Sequence, residues 1–502
     1  MRAHVVRRML AAALLVVALA GCGDVHRRYD ARESRLLVPM LLEALAFPTV
    51  GGNVEAHRAQ QEWLVRAARE LGFDSRPAGP VTEIELPGPP GAPVLGLVVH
   101  GDVTAVDERS WSSPPFSPVV KDGEIFGRGA ADDKGPMVQA LLAMKVLAEA
   151  GPPRTHTVRL LVGSDEESTS TDMGIYLASH SAPDYSLVLD SAFPVVAGEK
   201  AWNSLEVTTT LGVRSNDKPY HVSHLAAGVA ASIVPDRAEC TLSWIDGSPD
   251  WDRLTDELRV RRLPPGTRFE LQAGGDQLHV VVHGRSAHAG VNIEGGRNAL
   301  VALAGLLEGE LPEGGAADLL AFAKMAGVDL SGTGLDITDS DPMWGRYDVN
   351  VATILPADGG GATLTINLRR IPGRTGPQLR QHLEGIVAAF NARHGAMLVP
   401  GGFYDDEPFS VNPESKLVRR LLAAYRRATA EDPPPSISGG GTYAKRLPNA
   451  VAFGMWFPGK PYPGHDSDEQ VPISDLHRGV HVLLDALVDL ACSAPMSDPL
   501  RP

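Results

Sequence analysis

The segment VLGLVVHGD, Val94–Asp102, constrains this chain more than any other part of it. An uninterrupted apolar run of that length reads as a strand buried on both faces, which places it inside a sheet covered by helices. His100 and Asp102 close the run. Side chains alternate along a strand, so residues two apart share a face. The same pattern recurs where HTVRLLVGSDEES ends in Glu166 and Glu167, and where YSLVLDSAFPVV reaches Asp190. Helical apolar spacing in HRAQQEWLVRAARELGF and PMVQALLAMKVLAEAG separates these strands. The alternation predicts an α/β fold with a mixed sheet covered by helices, its polar groups gathered at strand ends where open sheets bind ligands.

From about Trp202 to Pro400 the character changes. SLEVTTTLGV, AECTLSWID, FELQAGGDQLHVVVHG and GATLTINLRRI alternate like half-exposed antiparallel strands, with helical GRNALVALAGLLEGEL and PQLRQHLEGIVAAFNARHG among them. The α/β pattern then resumes with SKLVRRLLAAYRRATA, NAVAFGMWF and SDLHRGVHVLLDALVDLA. We expect a first domain in two parts, 30–201 and 401–495, interrupted by an inserted α+β lid over 202–400. A chain of 502 residues is long enough for two cores. Its net charge of −15 argues against nucleic acid as a partner.

The N-terminus reads as a targeting segment. Arg2, Arg7 and Arg8 precede an apolar core, Met9 to Ala20, within the signal-peptide range of about 7–15 residues and too short to span a bilayer well. LAGC, Leu19 to Cys22, resembles the lipobox of bacterial lipoproteins. Residues 1–22 are therefore expected to be a leader, with membrane attachment through lipid on Cys22. Gly23 follows instead of aspartate, which favours the outer membrane. The expected location is the cell envelope, facing the periplasm, or the cell surface. Cys240 and Cys492 read as apolar fillers instead of a disulfide framework.

The chemistry collects from the strand ends: His100, Asp102, Asp132 in GRGAADDKG, Glu166, Glu167, Asp190, and His465 in GHDSDEQV. Crowded carboxylates resist ionisation unless a cation neutralises them. Mixed His and carboxylate donors suit Zn²⁺, with Mn²⁺ or Co²⁺ as alternatives. The set is too large for one tetrahedral zinc with an open position, and suits two metals sharing a carboxylate.

HGD, GRGAADDKG, SDEES, LDSAFPVVAGEKA, GRSAHAG, GGGTYAKRLPNAVAFGMWFPG and HDSDE follow one another in the order and approximate spacing of the M20 metallopeptidases. The long insert and the GGGTYAK segment resemble the PepV-type dipeptidases of that family. The resemblance implies a zinc-peptidase-like catalytic domain with two Zn²⁺ ions. His100 and Asp190 would bind one, Glu167 and His465 the other, and Asp132 would bridge them. It implies Asp102 as the group that accepts the free imidazole N–H of His100, and Glu166 as general base toward a metal-bridging hydroxide. His288 would donate to the developing oxyanion, and Arg369 would hold the C-terminal carboxylate of a small peptide. Gly439, Gly440 and Gly441 with Thr442 offer a further cradle for that carboxylate, and Ser232 stands where relatives of this type carry asparagine.

Other residues read as structural. Asp133 is taken as a helix-start acid, Lys134 as a surface or packing lysine, and His221, His224 and His283 as ordinary loop or strand histidines. Arg370 should point to the face opposite Arg369. Ser164 replaces a usual threonine and Lys445 a usual arginine. The insert is long enough to cover its own site, which predicts a functional monomer. The reading is a lipid-anchored dipeptidase acting on unblocked dipeptides. Two alternatives remain open: an N-acyl amino acid deacylase, and a non-catalytic peptide-binding lipoprotein. A dipeptidase needs an acid to recognise the substrate ammonium, and Asp107 and Glu108 are candidates.

Overall fold

The computed structural model describes residues 23–215, 218–496 and 500. The leader and Cys22 lie outside the described residues. None of the described helices is long and apolar enough to cross a membrane.

Two sheets, each with its own apolar core, organise the chain. Thr157–Gly163, Val94–His100, Tyr185–Val188 and Ala450–Ala452 run parallel at the centre of the first. Antiparallel strands Asp74–Ala78 and Val81–Leu86 extend one side, and Val196–Glu199 and Phe409–Ser410 the other. This mixed sheet is covered by helices, as the apolar runs demand: Leu97, Val98 and Val99 are fully buried. Helix Lys134–Ala150 is buried along most of its length and packs against Ser34–Leu45 and Ile473–Ala491. A helix apolar on nearly every face can only be a core element.

The chain leaves this sheet after Glu199 and returns at Phe409. The residues between build an antiparallel sheet of eight strands, ordered Arg268–Gly274, Gln277–His283, Arg237–Trp244, Tyr220–Ala227, Asp348–Ala357, Gly361–Arg370, Ala201–Thr210 and Val399–Asp406. Helices Ala299–Leu306, Gly315–Ala326 and Gly376–His394 pack on it. Thr375 and Gln378 close a capping box on the last of these, and Gly395 ends it with φ 65°.

Two charged residues have more structural work than the sequence suggested. Lys134 is fully buried, and its Nζ donates to the carbonyls of Ala44 and Phe47 at 3.0 and 2.7 Å. It thus satisfies the end of helix Ser34–Leu45, and burial pushes its ammonium down to about 7. Asp133 precedes helix Lys134–Ala150 but makes no side-chain cap there. Its Oδ2 instead accepts from the amide of His100 at 3.1 Å. Cys240 is buried and Cys492 half-buried, both as free thiols.

Candidate active site

The parallel strands place the candidate groups at one edge. At Gly101, after His100, a Cβ would stand 2.1 Å from Gln60 Nε2 and displace that side chain, and the Gly101 carbonyl accepts from Gln60 and Thr49 at 2.8 Å each. The chain then turns so that Asp102 faces the neighbouring loop. Its two carboxylate oxygens accept the amides of Glu166 and Glu167 at 3.1 and 2.9 Å. The expected contact with His100 is therefore shared differently. His100 Nδ1 lies 3.0 Å from the main-chain carbonyl of Asp102 and 3.5 Å from its carboxylate. The carbonyl fixes the imidazole, while the carboxylate fixes the SDEES loop.

His100 Nε2 stands 3.1 Å from Asp132 Oδ1 and 3.7 Å from Asp190 Oδ2. The other oxygen of Asp132 is 3.4 Å from His465 Nε2, which is 2.9 Å from Glu167 Oε1. Asp132 thus lies between the two imidazoles. Its position is set by a residue the sequence reading passed over. Glu469, fully buried, accepts from Arg128 at 2.7 Å and from the amides of Gly129, Ala131 and Asp132 at 2.9, 2.8 and 3.2 Å. One carboxylate so pins the whole glycine-rich turn; the only signal was its place in HDSDE.

The electrostatics call for a cation. Burial pushes Asp190, Glu166 and Asp133 well above the usual carboxylate range, with neighbouring carboxylates adding to it. His465 rises to about 10 because Glu167 and Asp132 outweigh its burial. Donor atoms of His100, Asp133 and Asp190 lie within 4.8 Å of one another, as do those of His100, Asp132 and Glu167. The buried Oδ1 of Asp133 has no hydrogen-bond partner among the described residues. Oxygen and imidazole donors in this arrangement fit a divalent metal of the zinc type.

The lid sheet closes the other side. His288 Nδ1 accepts from the amides of Gly290 and Val291, both at 2.9 Å, which leaves Nε2–H as a donor. Burial, then His465 and Arg369, hold this imidazole well below its ordinary value, so it stays neutral. Its ring centroid is 4.3 Å from that of His465. Loop and lid touch so closely at Gly290 and Gly439 that a Cβ on Gly439 would lie 1.9 Å from Gly290 O. The main-chain carbonyl of Ser232 accepts from Ala289 at 2.8 Å and faces His465 Nδ1 at 3.4 Å.

Arg369 is 2% exposed and lies over the Trp202 ring, with Nε donating to Asn367 at 3.0 Å. Among the described residues no carboxylate comes within ion-pair distance of it. Arg370 behaves oppositely, pairing with Asp405 and Glu407 at 3.0 and 2.9 Å. The expected glycine cradle is partly engaged already. Thr442 donates both amide and hydroxyl to buried Glu199, at 3.1 and 2.7 Å, and the Gly440 amide donates to Ser438.

Two cavities meet at this cluster, sharing Glu166, Glu167, His288, Gly441, Thr442 and His465. The larger, about 430 Å³, also holds Asp132, Asp190, Gly440, Trp344, Trp456 and Tyr462. The smaller, about 240 Å³, holds Arg369, Ser232, Lys445, Arg446 and Asp406. Asp107 and Glu108 line neither; Asp107 pairs with Arg109 beside a separate small hollow. His224 and His283 lie by Glu239 and Glu270, away from the cluster. Tyr462, half-buried and unforeseen, has its ring centroid 6.1 Å from that of His288.

A model of peptidase family M20/M25/M40 matches residues 96–489. The chain is 30% identical to the proposed dipeptidase YtjP of Bacillus subtilis (strain 168), over 80% of this chain and 84% of that one. It is 27% identical to the Beta-Ala-Xaa dipeptidase of Lactobacillus delbrueckii subsp. lactis, over 79% of this chain and 82% of that one. The fold is similar to that of human carnosine dipeptidase 1, with a TM-score of 0.58 at 14% identity, covering 93% of this chain and 98% of the other.

Proposed function

The chain belongs to peptidase family M20/M25/M40, and from that premise we propose that it is a two-metal dipeptidase cleaving the amide bond of unblocked dipeptides. The observation that carries this reading is Arg369, a buried guanidinium with no carboxylate partner among the described residues, facing a cavity beside the acidic cluster. A charge in that state awaits a carboxylate from outside the chain. The names of the Bacillus and Lactobacillus relatives support dipeptides as the substrate class.

His100 and Asp190 would hold one metal, Glu167 and His465 a second, with Asp132 between them. Zn²⁺ suits these donors, as do Mn²⁺ and Co²⁺. Bound there, the metals would supply Lewis acidity and lower the pKa of an attacking water. Glu166, whose carboxyl burial holds well above its usual range, accepts the proton of that water and returns it to the leaving amine. His288 donates its Nε2–H to the carbonyl oxygen as charge develops on it. Arg369 holds the C-terminal carboxylate in a bidentate fork. Ser232, Gly440, Gly441 and Thr442 shape the walls of the two cavities around the substrate. Because His288 and His465 of one chain already stand together, a single chain supports the whole site, and kcat per chain should not depend on protein concentration.

The test is hydrolysis of free dipeptides, tripeptides and N-acetylated amino acids by the chain from Gly23 onward, with Zn²⁺, Mn²⁺ or Co²⁺ and with a chelator. Metal-dependent cleavage confined to unblocked dipeptides is expected. Cleavage of the acetylated compounds alone would make it a deacylase, and binding without turnover a peptide-capturing protein. The leader and the LAGC motif support envelope anchoring through lipid on Cys22. Replacing Cys22 by alanine should then release the protein from the membrane fraction, and unchanged partitioning would refute the anchor.

A further inference from the structure

The smaller cavity is unlike an ordinary side-chain pocket. Among the described residues that line it there is no leucine, isoleucine, valine, methionine or phenylalanine. Beyond the catalytic wall, its lining combines Trp202 and Tyr404 with Gly441, serines and threonines, and charged residues. Those charges do not balance. Apart from Glu166 and Glu167 of the catalytic wall, Arg369, Lys445 and Arg446 face one carboxylate of the lining, Asp406, which Lys445 and Arg446 share at 3.0 and 2.9 Å. Glu199 lies behind Thr442 and is not part of the lining. Lys445 also feels Glu199 through space, so with a substrate carboxylate on Arg369 it is Arg446 that has only the shared Asp406 as its ion-pair partner among the described residues.

Arg446 is the cation with capacity to spare. Its Nη1 is held by Asp406, while Nε and Nη2 reach only Ser170 Oγ and Tyr404 Oη, each at 3.4 Å. Its side chain is 30% exposed at the cavity mouth, whereas Lys445 is 5% exposed and also donates to the carbonyl of Lys200 at 2.8 Å. A second carboxylate entering here would meet a guanidinium edge with two weakly engaged nitrogens and a rim of hydroxyl donors. An aliphatic side chain would meet no apolar surface except the aromatic rings.

We propose that this cavity receives the side chain of the substrate's C-terminal residue and selects an acidic one, so that the preferred substrates are dipeptides ending in aspartate or glutamate. The proposal rests on the reading that Arg369 holds the terminal carboxylate. It deepens that reading by naming Arg446 as a specificity-determining residue, with Ser170 and Tyr404 orienting it.

The experiment compares kcat/KM for Ala-Glu, Ala-Gln and Ala-Leu with the metal-loaded chain at low and high salt. Ala-Glu should exceed Ala-Gln by roughly two- to fivefold at low salt, the size of effect a partly exposed ion pair can carry, and the ratio should shrink as salt rises. Arg446→Gln should bring the ratio to about one, while Arg446→Lys, which keeps the charge, should retain most of it. Equal turnover of Ala-Glu and Ala-Gln, or a preference for Ala-Leu, overturns the selection of an acidic residue and leaves the dipeptidase reading standing. Failure to cleave any unblocked dipeptide overturns both.

Discussion

In the first sheet the central strands run parallel and end together, so His100, Glu167 and Asp190 follow three neighbouring carboxyl ends and converge without any strand bending toward another. In the lid sheet all the strands are antiparallel, successive ends point opposite ways, and no edge can gather groups in that manner. Arg369 accordingly lies inside strand Gly361–Arg370, its backbone held on both sides by Ala201–Thr210 and Asp348–Ala357. His288, the lid's other contribution, comes from a loop fixed by Ser232 and Gly290. Parallel topology collects chemistry, and antiparallel topology offers rigid points of grip.

That contrast predicts different kinetic signatures for the two halves. The largest effect belongs to Glu166→Gln, which removes the proposed proton acceptor while keeping shape. It should lower kcat by about 10²–10⁴-fold with KM little changed and metal content intact by elemental analysis. Retention of kcat would remove Glu166 from the chemistry. His288→Ala comes next and tests whether the lid only grips. A donor to the developing oxyanion costs about 10²–10³-fold in kcat, so a loss of that size would show one lid residue doing chemistry. A change confined to KM would instead make the division between the halves complete. Arg369→Met should be smaller and fall on KM, because the proposed hydrogen bonds to a substrate carboxylate, worth about 1.5–3 kcal/mol, would be the same before and during reaction. That corresponds to roughly a 10- to 150-fold rise in KM. An equal fall in kcat would mean that the grip also aligns the scissile bond.

The same contrast explains what was legible in the sequence. Each group at a parallel strand end directly follows an apolar run, so the pattern that announces the strand also announces the site residue. His100, Glu166 and Asp190 were visible for that reason. The lid gives no such signal: Arg369 and His288 stood out only through resemblance of short motifs. Illegible altogether were contacts made by chain segments far apart. Glu469 pins a turn more than 330 residues earlier, and Lys134, read as a surface or packing lysine, is a buried cap for a helix that ends at Leu45. The helix Gly315–Ala326 escaped notice because alanine-rich GAADLLAFAKMA shows little polar and apolar contrast. The basic cavity escaped as well, since Ser170, Trp202, Arg369 and Arg446 come from four separate segments.

The smallest expected effect lies far from the site and separates the halves by stability instead of rate. Residues Tyr29–Glu33 pack on the last helix of the first half. There Tyr29 Oη meets His477 Nδ1 at 2.7 Å, and His481 Nε2 meets Asp30 at 3.0 Å. Burial holds both imidazoles below 6.5. For His481 the ring of His26, 4.6 Å away and itself beside Asp485, adds to burial, and together they outweigh the pull of Asp30. A histidine depressed in the folded state binds fewer protons there than when released. Docking is therefore fully present above pH 6.5 and weakens as pH falls through and below that value. The interior lid strand Gly361–Arg370 contains no histidine and its two neighbours contain none, so it serves as an internal reference. Between pH 7 and pH 5, hydrogen exchange corrected for intrinsic rates should lose protection at residues 29–33 while that strand holds. Constant protection at both would mean that Asp30 and Asp485 compensate the cost of charging these imidazoles. The first half would then be as indifferent to acid at its edge as the lid is in its interior.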